Sequence, residues 1–210
     1  MSQAASIKIT HFGVSPWEIN ALRGILEKRF KWSEEIIETD YEKRFVSFLK
    51  IPFPISYNEE FFQWFEYKRW DSLKFLLKEM KRRRSNNKAI KIDISFQGEP
   101  TIRFIADVDD DQGFKTSVEK IDFILELIPY HLDPNKVPDN ITEAVYDFDV
   151  ESMRWRLKTI FSENKKYLFF NNNKTTLITN IRKLSLVKTQ NILKKEHGLL
   201  PAVKSLEKSH

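Results

Sequence analysis

The chain has 210 residues, with 35 Lys+Arg against 30 Asp+Glu, 5 Gly and no Cys, and 41% of it is hydrophobic. A chain of that length buries roughly 70% of the surface its unfolded form exposes, so it can fold without a disulfide or metal staple. Zero Cys excludes disulfides, thiolate zinc sites, iron–sulfur clusters and cysteine nucleophiles, and five scattered Gly exclude the Gly-rich phosphate loops.

The net charge of +5 is spread unevenly: residues 1–100 carry +4, residues 101–150 carry −8 and residues 151–210 carry +9. Asymmetry on this scale reports on partners more than on fold. Either the basic end meets a polyanion or it folds back onto the acidic middle. The polar start Met1–Ser6 lacks a signal-peptide pattern, and no run reaches the ~18 apolar residues that span a bilayer. The expectation is a cytoplasmic protein with no membrane partner.

Ser6 to Phe12 alternates apolar and polar and predicts a strand. Ser15-Pro16-Trp17-Glu18 then reads as a capping box with Pro at the first helical position. Leu22, Ile25, Leu26 and Phe30 stripe that helix, which is predicted to end near Lys31. Strands are predicted around Glu35–Asp40 and over Arg44–Ile51, the second stopped by Pro52 and Pro54. Ser56-Tyr57-Asn58-Glu59 repeats the cap signature and opens one long helix reaching about Arg84, apolar over a wide arc.

The clearest hairpin pairs the alternating runs Ile90–Phe96 and Ile102–Val108. Matching their apolar faces sets Phe96 opposite Ile102, Lys91 opposite Asp107 and Ser95 opposite Arg103, around an odd-length loop. Thr116-Ser117-Val118-Glu119 predicts a further helix cap. Pro134 and Pro138 lie in a polar stretch that reads as an acidic linker over 134–148. Asp149 then caps a predicted helix to about Phe161, a hairpin turns on Asn171–Asn173, and a last helix runs over Ser185–His197.

The expected class is α+β, with helices packed on antiparallel hairpins and a small basic C-terminal α+β module. The expected division is a core over 1–133, the linker over 134–148 and the basic module over 149–210, with the tail after 198 a candidate for disorder. Helix followed by two strands recurs at about 16, 58 and 150.

Two charge clusters invite chemistry. Asp107, Asp109, Asp110 and Asp111 follow a strand and could hold Mg²⁺ or Ca²⁺ through hard oxygen ligands. The calcium-loop pattern fails, because Gln112 stands sixth from Asp107 and Val118 twelfth. The competing reading is an acidic loop before a helix N-terminus, with Asp107 paired to Lys91. Lys81-Arg82-Arg83-Arg84 could grip phosphate or simply solvate a helix end.

On the helix predicted after Asp149, Val150, Met153, Leu157, Ile160 and Phe161 form an apolar stripe flanked by Arg156, and Trp155 points nearly opposite beside Arg154 and Lys158, where it could stack on a base or be covered by a neighbouring element. Lys165, Lys166, Lys174, Arg182 and Lys183 then interleave with Tyr167, Phe169 and Phe170, a mixture suited to nucleic acid. His11, His131, His197 and His210 lie too far apart for ligand spacing, and neither a Gly-x-Ser-x-Gly elbow nor a His-Glu-x-x-His pair occurs.

The functional expectation is a non-enzymatic binding or adaptor protein, without a cofactor, that engages an anionic partner, nucleic acid first, through its basic end. The candidate contacts are Arg154, Trp155, Arg156, Lys158, Lys165, Lys166, Lys174, Arg182 and Lys183. Two alternatives stand beside it. One is a protein-assembly subunit, or a self-associating chain, that docks basic against acidic segments. The other is a metal-dependent phosphoryl-transfer enzyme using Asp107, Asp109, Asp110 and Asp111.

Overall fold

The computed structural model describes residues 5–38, 45–84, 89–163, 165–170 and 174–178. In chain order these form β1 (Ser6–Phe12), α1 (Pro16–Leu26), β2 (Lys31–Ile36), β3 (Phe45–Phe53), α2 (Glu59–Phe65), α3 (Tyr67–Arg82), β4 (Ala89–Phe96) and β5 (Thr101–Asp107). Next come α4 (Asp111–Glu119), a 3₁₀ segment (Asp122–Leu127), the single turn α5 (Ile128–His131), β6 (Ile141–Asp149), β7 (Arg154–Ser162), β8 (Lys165–Phe170) and β9 (Lys174–Ile178). All nine strands join one mixed sheet in the order β2-β1-β3-β4-β5-β6-β7-β8-β9. Among the described residues, no helix is long and apolar enough to cross a membrane.

Local sequence explains where α1 begins. Ser15 caps it, the Glu18 carboxylate accepts from the Ser15 backbone N–H in return, and Pro16 opens it. The long helix predicted from Ser56 to Arg84 is corrected to two helices. Asn58 rather than Ser56 caps the first, and the chain breaks at Glu66, whose φ of 70° ends the α2 geometry. That left-handed position costs about 1–2 kcal/mol for a residue with a Cβ, and Glu66 is held there between Arg29 at 2.7 Å and Arg69 at 2.8 Å. The break lets Phe61, Phe62 and Phe65 of α2 and Trp70, Leu73 and Leu77 of α3 all reach the core.

The β4–β5 hairpin has the predicted register, with Phe96 opposite Ile102, Ser95 opposite Arg103 and Lys91 opposite Asp107. Mixed α/β is what stands of the expected class. Three parallel pairs, β1 with β2, β3 with β4 and β5 with β6, join the antiparallel ones, each across a helical connection. β3 also runs through Pro52, since its ladder to β1 has already ended at the Thr10–Lys50 pair. Helix followed by two strands does recur, but its third instance begins at α4 rather than near residue 150.

The helices share one face of the sheet. Phe53, Phe96 and Phe104 point to it and meet Phe61 at 5.0 Å, Trp70 at 6.3 Å and Tyr57 at 5.2 Å respectively. The steps from β3 to β4 and from β5 to β6 cross the sheet in one direction along oppositely directed strands. With the helices on one face, those two connections must have opposite hands, a departure from the usual right-handed rule.

His11 is buried with neither ring nitrogen hydrogen-bonded, and Nδ1 of His131 is likewise buried and unpaired. Desolvation lowers both imidazoles below their usual value; Glu34 opposes this at His11, and Lys136 adds to it at His131. Burial therefore favours the neutral form of both rings in the fold, and the unfolded chain takes up protons first as pH falls. Their contribution is complete above about pH 6.5 and is lost below it. Thermal melts between about pH 7.5 and 5.5 should show a falling Tm that is less steep in a His131→Asn variant. Equal slopes in the two proteins would refute this.

Candidate nucleic-acid interface

Residues 149–161, predicted as a helix, are instead the turn and outer strand of the β6–β7 hairpin, and 141–148 of the expected linker is strand β6. The run Arg154-Trp155-Arg156-Leu157-Lys158 alternates with period two, which outcompetes the helical spacing of Val150, Met153, Leu157 and Ile160. Asp149 caps a turn in place of a helix: its carboxylate accepts from the Glu151 backbone N–H at 3.2 Å and the Ser152 hydroxyl at 2.8 Å. Met153, at φ 52°, completes the reversal.

Alternation sorts these side chains onto two faces. Trp155 and Leu157 lie on the helix-covered face, opposite Phe148 and Tyr146. Trp155 is only 4% exposed. Its Nε1–H donates to the Ser117 carbonyl of α4 at 2.9 Å, and its ring meets Phe104 at 5.3 Å and Phe148 at 5.4 Å. The expectation that Trp155 stacks on a base is corrected; α4 covers it.

Arg154, Arg156 and Lys158 occupy the other face, on which no described helix packs. The register shift at Val145/Tyr146 makes Lys158 the extra residue of a bulge, near Asp147. Burial pushes the Asp147 carboxyl up, while Lys158 and Lys91 pull it down. Across the next ladder, Phe161 lies opposite Lys166 and Thr159 opposite Leu168. The Lys166 ammonium sits 5.8 Å from the Phe161 ring centroid. Phe161, assigned in sequence to the apolar stripe of a helix, thus belongs to the basic face because the bulge at Lys158 reverses the alternation; strict period-two spacing would have put it with Trp155 and Leu157.

Cations on this face differ in what they already hold. Arg156 pairs with Asp149 at 2.6 Å. Further in, Arg103 grips buried Asp93 at 2.7 Å and reaches Glu143 at 3.3 Å, and Lys91 holds Asp107 at 3.1 Å. Arg154 and Lys158 are exposed and form no ion pair among the described residues, whereas exposed Lys165 of β8, opposite Ser162, shares the alternation of Tyr167 and Phe169 and lies on the helix-covered side. Lys174 enters the ladder opposite Phe170 on β9, whereas Arg182 and Lys183 lie outside the described residues, as do the last predicted helix and the tail.

The acidic cluster is dispersed by the fold. Asp107 is taken by Lys91, and Asp110 caps α4 through the Gly113 N–H, correcting the cap expected at Thr116. Asp111 pairs with Lys115 at 2.6 Å, and Asp109 offers its backbone carbonyl to Lys81 at 2.6 Å. Among the described residues, no three carboxylate or imidazole side chains gather as a metal site. The basic run ending α3 is spent internally too. Lys81 is buried, Arg82 pairs with Glu79 at 2.7 Å, Arg83 stacks 4.0 Å over Trp17, and Arg84 bonds Glu18 at 2.8 Å.

Comparisons with protein-family models, with curated proteins and with solved structures return no match.

Proposed function

We propose that this protein is a non-enzymatic binding or adaptor protein of the cytoplasm that engages an anionic partner, nucleic acid first, through the basic strands β7 and β8. The observation that carries the reading is the solvent exposure of Arg154 and Lys158 on the face where no described helix packs, neither of them in an ion pair among the described residues, with only partly buried Asp147 beside Lys158. Neighbouring acids are already occupied: Asp107 holds Lys91, Asp149 holds Arg156, and Arg103 binds both Asp93 and Glu143. This weakens the alternative in which the basic end docks onto the acidic middle of a second copy. Exposed cations on a face where no described helix packs attract polyphosphate and release its counterions on contact.

The test is a salt titration with charge reversal. Wild-type protein should bind at about 50 mM salt and lose affinity steeply as salt rises. An Arg154→Glu/Lys158→Glu variant should bind more weakly, with a log–log salt slope shallower by about 0.7–0.9 per lost phosphate contact. Both substitutions sit on exposed positions, so the melting temperature serves as the control for folding. Absence of binding at about 50 mM salt, or a variant slope equal to wild type, would overturn the proposal.

A further inference from the structure

We infer that the anion taken by this face is a single-stranded polynucleotide with one base stacked on Phe161, an inference that rests on the interface proposed above. Phe161 is partly exposed on the open face and takes no part in the hydrophobic core, whereas Leu157, Tyr167 and Phe169 of the same strands pack against it. A single exposed Phe is common on protein surfaces; what marks this one is its place among cations. Here it lies opposite Glu143 on β6 and Lys166 on β8. Arg103, bound first to Asp93 at 2.7 Å, also reaches Glu143 at 3.3 Å and offsets part of the charge of that nearest carboxylate.

The Lys166 ammonium, 5.8 Å from the ring centroid, is a weak occupant of that ring face. An incoming phosphate would draw Lys166 toward itself, and a base would replace the ammonium over the ring. Arg154, Arg156 and Lys158 flank the ring along β7. Alternate residues of a strand recur every ~6.6 Å on one face, a spacing that an extended sugar–phosphate chain can follow.

Duplex geometry fits this surface poorly. Its bases are stacked inside the helix, so none can reach Phe161, and its convex backbone would press the ring against sugar and phosphate. A single strand splays its bases outward and gains from any aromatic platform, whatever its sequence.

Fluorescence anisotropy with a labelled, unstructured strand of about 20 nucleotides and with a duplex of about 20 base pairs separates the possibilities. The expected result is at least tenfold tighter binding of the single strand by wild-type protein at about 50 mM salt. Phe161→Leu should lose on the order of tenfold affinity for the single strand, with its salt slope and its duplex binding unchanged, and Phe161→Tyr should retain the wild-type affinity. Equal or tighter binding of the duplex by wild-type protein overturns the inference and leaves the polyanion interface standing. So does a folded Phe161→Leu protein whose affinity for both nucleic acids is unaltered or falls equally. Binding of neither nucleic acid removes the interface itself, and this inference with it.

Discussion

Replacing Glu18 with Ala is expected to lower the unfolding free energy by about 3–5 kcal/mol, because it leaves a buried guanidinium without its counter-charge. Glu18 is only 3% exposed on α1. Arg84, just beyond α3, reaches it with both terminal nitrogens, at 2.8 Å to Oε1 and 3.0 Å to Oε2. The same guanidinium donates from Nε to Ser47 Oγ at 2.7 Å and from Nη2 to the Gly13 carbonyl at 3.2 Å. Gly13, at φ 61°, turns that carbonyl inward, and Ser47 Oγ also donates to it at 2.7 Å. One ion pair therefore ties α1, the β1–α1 turn, β3 and the end of α3 together. Burial pushes the Glu18 carboxyl up, but Arg84 and Ser15 outweigh it and hold the group below its usual range. This part of the stability is therefore full above about pH 4.5 and is lost as pH falls through the lowered value. Urea denaturation at pH 7 reads the loss directly. A double Glu18→Leu/Arg84→Met variant should recover much of it, since an apolar pair leaves no orphaned charge. A loss below about 1 kcal/mol for Glu18→Ala would show that Arg84 is satisfied without its partner.

The sequence shows most where contacts are local. The Ser15–Glu18 cap, strand β1 and the β4–β5 register are written within a few residues of one another, so alternation and capping suffice. The α2–α3 break is not legible, because neither Gly nor Pro marks it; two arginines from elsewhere stabilise Glu66 in a conformation its type disfavours. The α4 start is missed for a different reason. Asp110 is as good a cap as Thr116, and only tertiary packing of Phe114 and Val118 decides between them. Parallel pairing of β3 with β4 and β5 with β6 depends on where whole helices dock, which no short window contains. At the candidate interface the cations were legible as a set. Their sorting, with Arg156 in an ion pair and Arg154 and Lys158 in none among the described residues, needed the strand register of β7.

Trp155→Ala is expected to cost about 3–5 kcal/mol, as large a loss as at Glu18 and at a residue that composition alone assigns to binding. The substitution empties a site walled by Phe104 at 5.3 Å and Phe148 at 5.4 Å, and strips the buried Ser117 carbonyl of the closer of its two donors, at 2.9 Å, leaving the Lys120 backbone N–H at 3.3 Å. Ser117 is itself inaccessible to water, so no solvent molecule takes the place of the indole N–H, and only the longer bond from the Lys120 backbone N–H remains. Trp155→Phe separates volume from hydrogen bonding. It keeps most of the ring packing and should lose only about 0.5–1.5 kcal/mol, the net contribution of one buried hydrogen bond to a carbonyl that keeps a second donor. Thermal and urea melts of the two variants check this ranking. The same pair of proteins distinguishes a core Trp from a base-stacking one. Held well below its melting temperature, Trp155→Phe should bind a polyanion as wild type does, because the side chain faces α4, across the sheet from Lys158 and Phe161. Loss of binding with unchanged stability would place Trp155 on the ligand side of the sheet and reverse the facing of β7 on which the interface depends.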